Sequence, residues 1–286
     1  MVVWVVVPSY VLGRLLRRLH LRASTYPVPE ELRGWSWDRP PVRPRAYLGL
    51  GVYEVASYCP TKRDVWLRRV AEEVPKGNDS LKLGSDTHSV IASIASAIRS
   101  RAVLGDLLNC GTGVVEEVLK GFKDREWYPV LREVAYIAYH TMMSDYVWAS
   151  YGEGYQPFLG WLSEVRVDGT PLGLSPNLRV DAVVSGNLVL DFKVGKRAYN
   201  HEVGLAGYAM AVEANLEVPI DYGFIVYISP NGHARVSVRG VHLGPDLRRD
   251  FIDSRDEVID MVLSEREPPK ALNCPQACPF RHVCGG

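Results

Sequence analysis

Two aspartates and a lysine stand in two segments that otherwise have largely the apolar composition of buried strands. The segment LRVDAVV carries Asp181, and the later segment LVLDFKV carries Asp191 and Lys193. Because side chains alternate across a strand, Asp191 and Lys193 share one face. A tight turn at Ser185-Gly186 would make the two strands antiparallel neighbours and bring the two carboxylates and the ammonium together. Such a group suits a hard divalent ion, Mg²⁺ or Mn²⁺, beside a lysine that orients or activates the attacking water.

A simpler interpretation of the same residues is a salt bridge on the solvated face of an amphipathic hairpin. An unpaired charge on a buried face is costly to desolvate, so burial would require mutual pairing or a bound cation. The order of the neighbouring residues favours the metal site. His88 lies on an earlier predicted helix, and a helix carrying Tyr208 follows Lys193.

The C-terminal segment CPQACPFRHVC is the second candidate for chemistry, since it places Cys274, Cys278 and Cys284 within eleven residues. Five cysteines in a chain without a secretory segment are few and odd in number, which predicts reduced thiols rather than disulfides. Three thiolates leave a tetrahedral or cubane site one ligand short, and Cys59 offers the fourth from the other end of the chain. Iron–sulfur and zinc both stay open, because His282 could replace a cysteine in a zinc site.

The remaining pattern predicts an α/β chain with four parts. Residues 1–56 form an irregular N-terminal extension, 57–155 a helical segment, 156–244 a sheet-containing core, and 245–286 a helix with the cysteine tail. Strands are expected at SEVRV, LRVDAVV, LVLDFKV and DYGFIVYI, because these segments are apolar, β-branched and bounded by turn residues. One helix is inserted before the last strand.

Two helices are expected to position the site. In THSVIASIASAIRS the isoleucines repeat at helical spacing, and Ser85 or Asp86 is the predicted N-cap, which puts His88 in the first turn. HEVGLAGYAMAVEAN is the inserted helix, with Asn200 as its predicted cap and Tyr208 in its middle.

Charge and hydropathy exclude several classes of protein. The 33 lysines and arginines balance 33 aspartates and glutamates, so any DNA site must be a local patch. The candidate patch in the helical segment consists of Lys62, Arg63, Arg68 and Arg69. No apolar run approaches the roughly 20 residues that a membrane span needs, so we expect a cytoplasmic protein without membrane contact.

The order of Asp181, Asp191-x-Lys193 and a helix with Tyr208 resembles the PD-(D/E)xK nuclease superfamily, in particular its RecB-like branch. The resemblance implies a restriction-endonuclease-like core around a mixed sheet. It also implies that Lys193 assists the water, that Tyr208 positions DNA, and that the metal ligands are His88, Asp181, Asp191 and the carbonyl of Phe192. One position departs from the family pattern. The usual glutamine four residues before the tyrosine is Gly204, and His201 or Glu202 could substitute for it.

One cysteine before the nuclease residues and three after them, together with ELRGW and YCPTKRDVWLRRV, make the chain similar to a CRISPR-associated exonuclease family. That family is the fourth numbered Cas family, and the likeness is to its archaeal Csa-type subgroup. The resemblance implies a [4Fe-4S] cluster on Cys59, Cys274, Cys278 and Cys284, although the tail has one residue more than the commoner C-x₂-C-x₅-C. It further implies Mn²⁺- or Mg²⁺-dependent cleavage of single-stranded or frayed DNA, and work with CRISPR integrase proteins on new spacers in antiviral defence.

Two other functions stay open on the residues alone. The first is a non-catalytic DNA-binding or scaffolding subunit of the spacer-acquisition complex, in which Gly204 marks lost chemistry. Retention of Asp181, Asp191 and Lys193 argues against it, because a binding subunit does not need all three. The second is a zinc-stapled, metal-dependent hydrolase that acts on something other than DNA.

Overall fold

The computed structural model describes residues 9–151, 161–184, 187–230, 234–272, 274 and 278–285. The turn predicted at Ser185-Gly186 lies outside these residues. The helices in this part of the chain are α1 (Ser9–Thr25), α2 (Val52–Val55), α3 (Arg63–Arg69), α4 (Asp79–Val103), α5 (Gly113–Leu119), α6 (Tyr128–Tyr151), α7 (Tyr199–Leu216), α8 (Pro245–Ser264) and α9 (Arg281–Cys284). The strands are β1 (Trp161–Val167), β2 (Leu178–Val184), β3 (Leu188–Val194), β4 (Tyr222–Ser229) and β5 (Arg235–His242). Within these described helices, none combines the length and apolar character needed to cross a membrane.

A single mixed sheet in the order β1-β2-β3-β4-β5 forms the centre of the molecule. β3 and β4 are parallel, whereas the other neighbouring pairs are antiparallel. A parallel pair needs a crossover connection, and α7 provides it. The predicted α/β class, mixed sheet and four strands are therefore confirmed. β5 was not predicted, and its sequence RVSVRGVH interleaves arginines and a serine with valines on a half-exposed strand.

Helices cover both faces of the sheet and create two cores. The first core, under α4, α5 and α6, takes Leu190 and Phe192 of β3 together with Ile94 of α4. The second core, under α7 and α8, takes Val189 of the same strand and Phe251 of α8. The alternation of side chains along β3 therefore divides the two layers. This arrangement places α4 and α7 on opposite sides of the strand that carries Asp191 and Lys193.

The helix that carries His88 begins earlier than predicted. Asn78 is the N-cap of α4, and its side chain accepts a hydrogen bond from the backbone N–H of Leu81 at 3.0 Å. The predicted caps, Ser85 and Asp86, lie inside the helix, where Asp86 is buried and accepts hydrogen bonds from side chains of other segments. His88 consequently lies in the third turn of α4 rather than in the first.

The predicted cap of α7 is also wrong. The helix begins at Tyr199 after an extended Ala198, so Asn200 is already helical. Its side-chain amide donates to the carbonyl of Ala56 at 3.0 Å. Asn200 therefore fastens α7 to the segment around α2 instead of capping its own helix.

The N-terminal segment is fastened to α7 by a buried ionic network around Glu213. Arg248 is fully buried and forms two hydrogen bonds to the Glu213 carboxylate, at 2.6 Å and 2.9 Å. Arg33 adds a bond at 2.9 Å, and the backbone N–H of Gly34 adds one at 2.8 Å. A Cβ on Gly34 would lie 1.9 Å from the carbonyl oxygen of Met210, so only glycine fits there. The arginine and glycine of ELRGW thus serve packing.

Replacing Glu213 with glutamine is expected to lower the free energy of unfolding by about 3–5 kcal/mol, because it leaves the fully buried Arg248 without its counter-charge and leaves Arg33 with Asp221 alone. Urea denaturation followed by circular dichroism measures this change. Glu217→Gln is the matched control, since Glu217 is exposed at the end of the same helix. Equal unfolding midpoints for the two variants would contradict a structural role for the network.

Candidate active site

The site lies where β2 and β3 separate. Their pairing covers Ala182–Val184 and Leu188–Leu190, and Asp181 and Asp191 follow directly beyond it. The backbone N–H of Phe192 donates to Asp181 Oδ2 at 2.8 Å, so a carboxylate occupies the position of a ladder acceptor. The fork in the sheet therefore holds the Asp181 side chain in one orientation.

Glu164 occupies an unusual position in the middle of β1. Its φ angle is 52°, in the left-handed region that non-glycine residues rarely adopt. The register of β1 with β2 places Glu164 opposite Asp181. Ser163 on one side of it faces α4, whereas Val165 on the other side packs against the core under α7. The strand alternation is interrupted at Glu164, and a conformation of this kind costs of order 1–3 kcal/mol and recurs at functional sites.

His88, Glu164 and Asp181 each bring one donor atom within 4.8 Å of the others. His88 Nδ1 lies 3.3 Å from Asp181 Oδ1. One imidazole nitrogen with carboxylate oxygens is a donor set that suits Mn²⁺ or Mg²⁺. Sequence reasoning found His88 and Asp181 but not Glu164. The signal for Glu164 is its place opposite Asp181, which requires the pairing of β1 with β2 and is not contained in SEVRV alone.

Asp191 and Lys193 form a buried ion pair beside this group. Lys193 Nζ donates to Asp191 Oδ1 at 2.6 Å, and the Asp191 side chain is 2% exposed. Burial raises the pKa of Asp191, and the negative charge of Asp181 raises it further against the opposing effect of Lys193. Burial lowers the pKa of Lys193, but the charges of Asp191 and Asp181 outweigh it and leave that pKa raised. Lys193 is therefore an ammonium at neutral pH.

The His88 imidazole and the Asp181 carboxylate stabilise each other's charged forms. Burial lowers the pKa of His88, but its hydrogen bond to Asp181 and the charge of that carboxylate outweigh burial and raise it. Burial raises the pKa of Asp181, yet the bond and charge of His88, followed by the charge of Lys193, bring it below its ordinary value. Two buried carboxylates that depend on nearby positive charge form an environment that fits a divalent cation.

Phe192 and Tyr208 border the carboxylates. The Phe192 ring packs edge-on against His88 with centroids 6.2 Å apart, which fixes the imidazole. Metal binding by the Phe192 carbonyl and by the Asp191 carboxylate stays a prediction. Burial raises the pKa of Tyr208, and the charges of Asp191, Asp181 and then Glu164 raise it further. The Tyr208 phenol is therefore protonated at neutral pH.

Packing explains why Gly204 stands where RecB-like nucleases usually have glutamine. A Cβ on Gly204 would lie 3.3 Å from Ala56 Cβ and 3.6 Å from Val52 Cγ1, so α2 occupies the space of a longer side chain. Of the two suggested substitutes, Glu202 is bound to Arg239 at 2.6 Å. His201 is 3.2 Å from the Tyr227 hydroxyl, and burial together with the charge of Lys193 lowers its pKa to about 4. His201 is therefore a neutral imidazole at neutral pH.

Glu164, Asp181 and Lys193 line a cleft of about 730 Å³ between α4 and the strands. The α4 wall presents small side chains at helical spacing, among them Gly84, Ser85, Ser89 and Ser93. Small residues allow a ligand backbone to approach the helix closely. Arg179 of β2 lies on the opposite wall.

One small cavity of about 20 Å³ is lined by the four cysteines that were predicted to bind a metal centre together. Cys59 comes from the segment before α3, and the others come from the C-terminal tail: Cys274, Cys278 and Cys284. The pKa of Cys274 is raised to about 11. Burial is the largest cause, and the hydrogen bond to Cys278 and the charges of the nearby thiols add to it. The Tyr58 hydroxyl lies 3.3 Å from Cys278 Sγ. The folded chain thus brings thiols from its two ends to one place.

The cations predicted to bind DNA make contacts within the protein. Lys62 donates to a carbonyl of α2 and to a serine of α8. Arg63 is 7% exposed, binds the segment that follows α8 and lines the cysteine cavity. Arg69 is bound to Glu54, and Arg68 lies over two aromatic rings. Lys62, Arg63 and Arg69 thus donate hydrogen bonds that hold α3 in place. DNA binding by these three cations and by Arg68 stays a prediction.

A family model described as CRISPR-associated exonuclease Csa1 matches residues 6–286. The chain belongs to this family. A Thermoproteus tenax protein named CRISPR-associated exonuclease Csa1 is 36% identical over 275 residues, which cover 96% of this chain and 97% of that one. A Saccharolobus solfataricus protein of the same name is 30% identical over 277 residues, covering 90% and 92% of the two chains. A solved structure of a candidate exonuclease from Eubacterium rectale gives a TM-score of 0.48 at 13% identity, over 82% of this chain and 87% of its own.

Membership of the Csa1 family confirms the resemblance seen in the cysteine spacing and the nuclease residues. It also confirms the predicted class of enzyme, an exonuclease associated with CRISPR. The identity of the ions and the roles of the individual residues are separate questions, which depend on the geometry of the cleft.

Proposed function

We propose that this Csa1-family chain is a metal-dependent DNA exonuclease that hydrolyses phosphodiester bonds of single-stranded or frayed DNA during CRISPR spacer acquisition. The observation that carries the proposal is the convergence of His88, Glu164 and Asp181 within 4.8 Å at an open cleft. A lysine ammonium lies beside this convergence, and a hard cation together with an ammonium can stabilise the charge that develops in phosphodiester hydrolysis.

A bound Mn²⁺ or Mg²⁺ would polarise the scissile phosphate and provide a strong nucleophile at neutral pH. His88, Glu164 and Asp181 would hold the ion, and Asp191 with the Phe192 carbonyl would complete its ligands. Two such ions would be compatible with this chemistry.

Two further side chains act on the substrate. Lys193, kept in place by its 2.6 Å bond to Asp191, stabilises negative charge on the reacting phosphate. Its raised pKa keeps Lys193 positively charged, which suits this role. Tyr208 would donate a hydrogen bond from its phenol to the DNA strand and hold that DNA strand against the carboxylates.

We also propose that Cys59, Cys274, Cys278 and Cys284 hold a [4Fe-4S] cluster with a structural role. Four thiols on one cavity match the cysteine ligation of such clusters. The cluster would fasten α3, which follows Cys59, to the C-terminal tail. A zinc ion bound by the same thiols is the alternative. The partners we propose are DNA ends and the CRISPR integrase proteins that receive trimmed spacers.

Linear and covalently closed circular single-stranded DNA of the same sequence test this function. With Mn²⁺ the purified protein should degrade the end-labelled linear strand to short products and spare the circle, because an exonuclease requires an end. EDTA should stop the reaction. Equal cleavage of the circle would replace the exonuclease assignment with an endonuclease one, and no cleavage of either strand would favour a scaffolding subunit.

A further inference from the structure

We propose that Arg179 binds a phosphate of the DNA strand in the cleft and that Glu164 holds its guanidinium in position until the ion site is filled. The inference rests on the proposed nuclease function and adds a substrate-positioning residue to it.

Arg179 has the location that a phosphate-binding side chain needs. It lies on β2 two residues before Asp181 and lines the same cleft as His88 and Lys193. Its side chain is 60% exposed, so a strand lying along the small residues of α4 can reach it. The planar guanidinium matches the geometry of a phosphate and binds it through paired hydrogen bonds. Of the described cations lining the cleft, Lys193 is already bonded to Asp191, whereas Arg179 has a looser partner.

The partner of Arg179 is Glu164, the same residue that belongs to the candidate metal site. Arg179 Nη1 lies 3.7 Å from Glu164 Oε2, which is beyond hydrogen-bond range. A partly exposed pair at this separation contributes little stability, so it leaves the guanidinium donors available for a phosphate.

Glu164 therefore lies between the candidate metal site and Arg179. Its carboxylate is within reach of His88 and Asp181 on one side and of Arg179 on the other. A carboxylate that ligates an ion gives up negative charge that would otherwise attract Arg179. By linkage, the loss of Arg179 must then tighten metal binding, and a filled metal site must release Arg179 for the phosphate.

Affinity for DNA and affinity for metal test this inference separately. Fluorescence anisotropy with a fluorescein-labelled single-stranded oligonucleotide, in Ca²⁺ and with strand integrity checked on a gel, should show about tenfold weaker binding for Arg179→Ala. The slope of log affinity against log salt should become shallower by about 0.7, the value for one lost phosphate contact on a single strand. Arg179→Lys should recover part of the affinity, because the charge remains.

Calorimetric titration with Mn²⁺ provides a reading that a merely structural arginine would not change. Arg179→Ala should bind Mn²⁺ more tightly than the wild type, and Glu164→Gln should bind it more weakly. Arg249→Ala is the matched control, because Arg249 is 52% exposed and lies 3.8 Å from a carboxylate on α8, away from the cleft. It should leave both affinities unchanged.

Two results would overturn the role of Arg179. One is DNA affinity and salt slope in Arg179→Ala equal to those of Arg249→Ala, and the other is weaker Mn²⁺ binding in Arg179→Ala. Either result leaves the nuclease proposal intact if the wild type still degrades linear DNA with Mn²⁺. Absence of that wild-type cleavage would instead reject the proposed function.

Discussion

Replacing Lys193 with alanine is expected to reduce Mn²⁺-dependent cleavage of linear single-stranded DNA by about a hundred- to a thousandfold, the usual cost of removing one preorganised charge from a reacting group. The reason is that Lys193 is held by Asp191, lines the cleft and is charged at neutral pH. Single-turnover rates with saturating DNA measure this effect, since they isolate the chemical step from binding.

Lys196→Ala is the matched control for this experiment. Lys196 is an exposed lysine three residues further along the chain, outside the cleft. Its variant should retain wild-type activity. Asp181→Asn keeps the size of the side chain and should lose activity at least as severely, because it removes a charged ligand. Wild-type rates in both Lys193→Ala and Asp181→Asn would end the catalytic assignment and leave the non-catalytic DNA-binding subunit as the better account.

Replacing Cys278 with serine is expected to remove the cluster from the protein. Anaerobically purified wild type should contain about four iron atoms per chain and absorb light at about 400 nm. Cys278→Ser should lose most of the iron and most of the absorbance. Cys278 is 8% exposed and packs with Phe280 and Leu67, so loss of the cluster should also expose the tail to limited proteolysis.

Cys110→Ser separates the cluster from general thiol effects. Cys110 donates its thiol proton to the Leu107 carbonyl at 3.0 Å and packs against the core that contains α4. The variant should keep its iron and its absorbance. A wild-type protein with one zinc ion and no visible absorbance would reject the iron–sulfur proposal and support the zinc-stapled alternative.

The strands and the main site residues could be predicted because their signals are local. LRVDAVV and LVLDFKV are apolar segments interrupted by charges, and a buried charge demands a partner. This reasoning found Asp181, Asp191 and Lys193, and chain order added His88. The same local reasoning located Cys59 with the three tail cysteines, which the fold brings to one cavity.

The residues that were missed depend on tertiary pairing. Glu164 belongs to the site because β1 pairs with β2 in one register and because its backbone is left-handed, and neither fact follows from SEVRV. Ser85 and Asp86 have good capping side chains, yet Asn78 starts α4 earlier. Lys62, Arg63 and Arg69 resemble a basic patch in sequence, but Lys62 and Arg63 bond to α8 and the segment after it, and Arg69 bonds to Glu54 of α2.

His88, Glu164 and Asp181, from three separate elements, are expected to form one hard-cation site. Calorimetric titration of Mn²⁺ into wild type and Asp181→Asn tests it most directly, because it requires no substrate and no turnover. We predict saturable binding to the wild type and at least about tenfold weaker binding to the variant. Undiminished Mn²⁺ affinity in folded Asp181→Asn would contradict the claim.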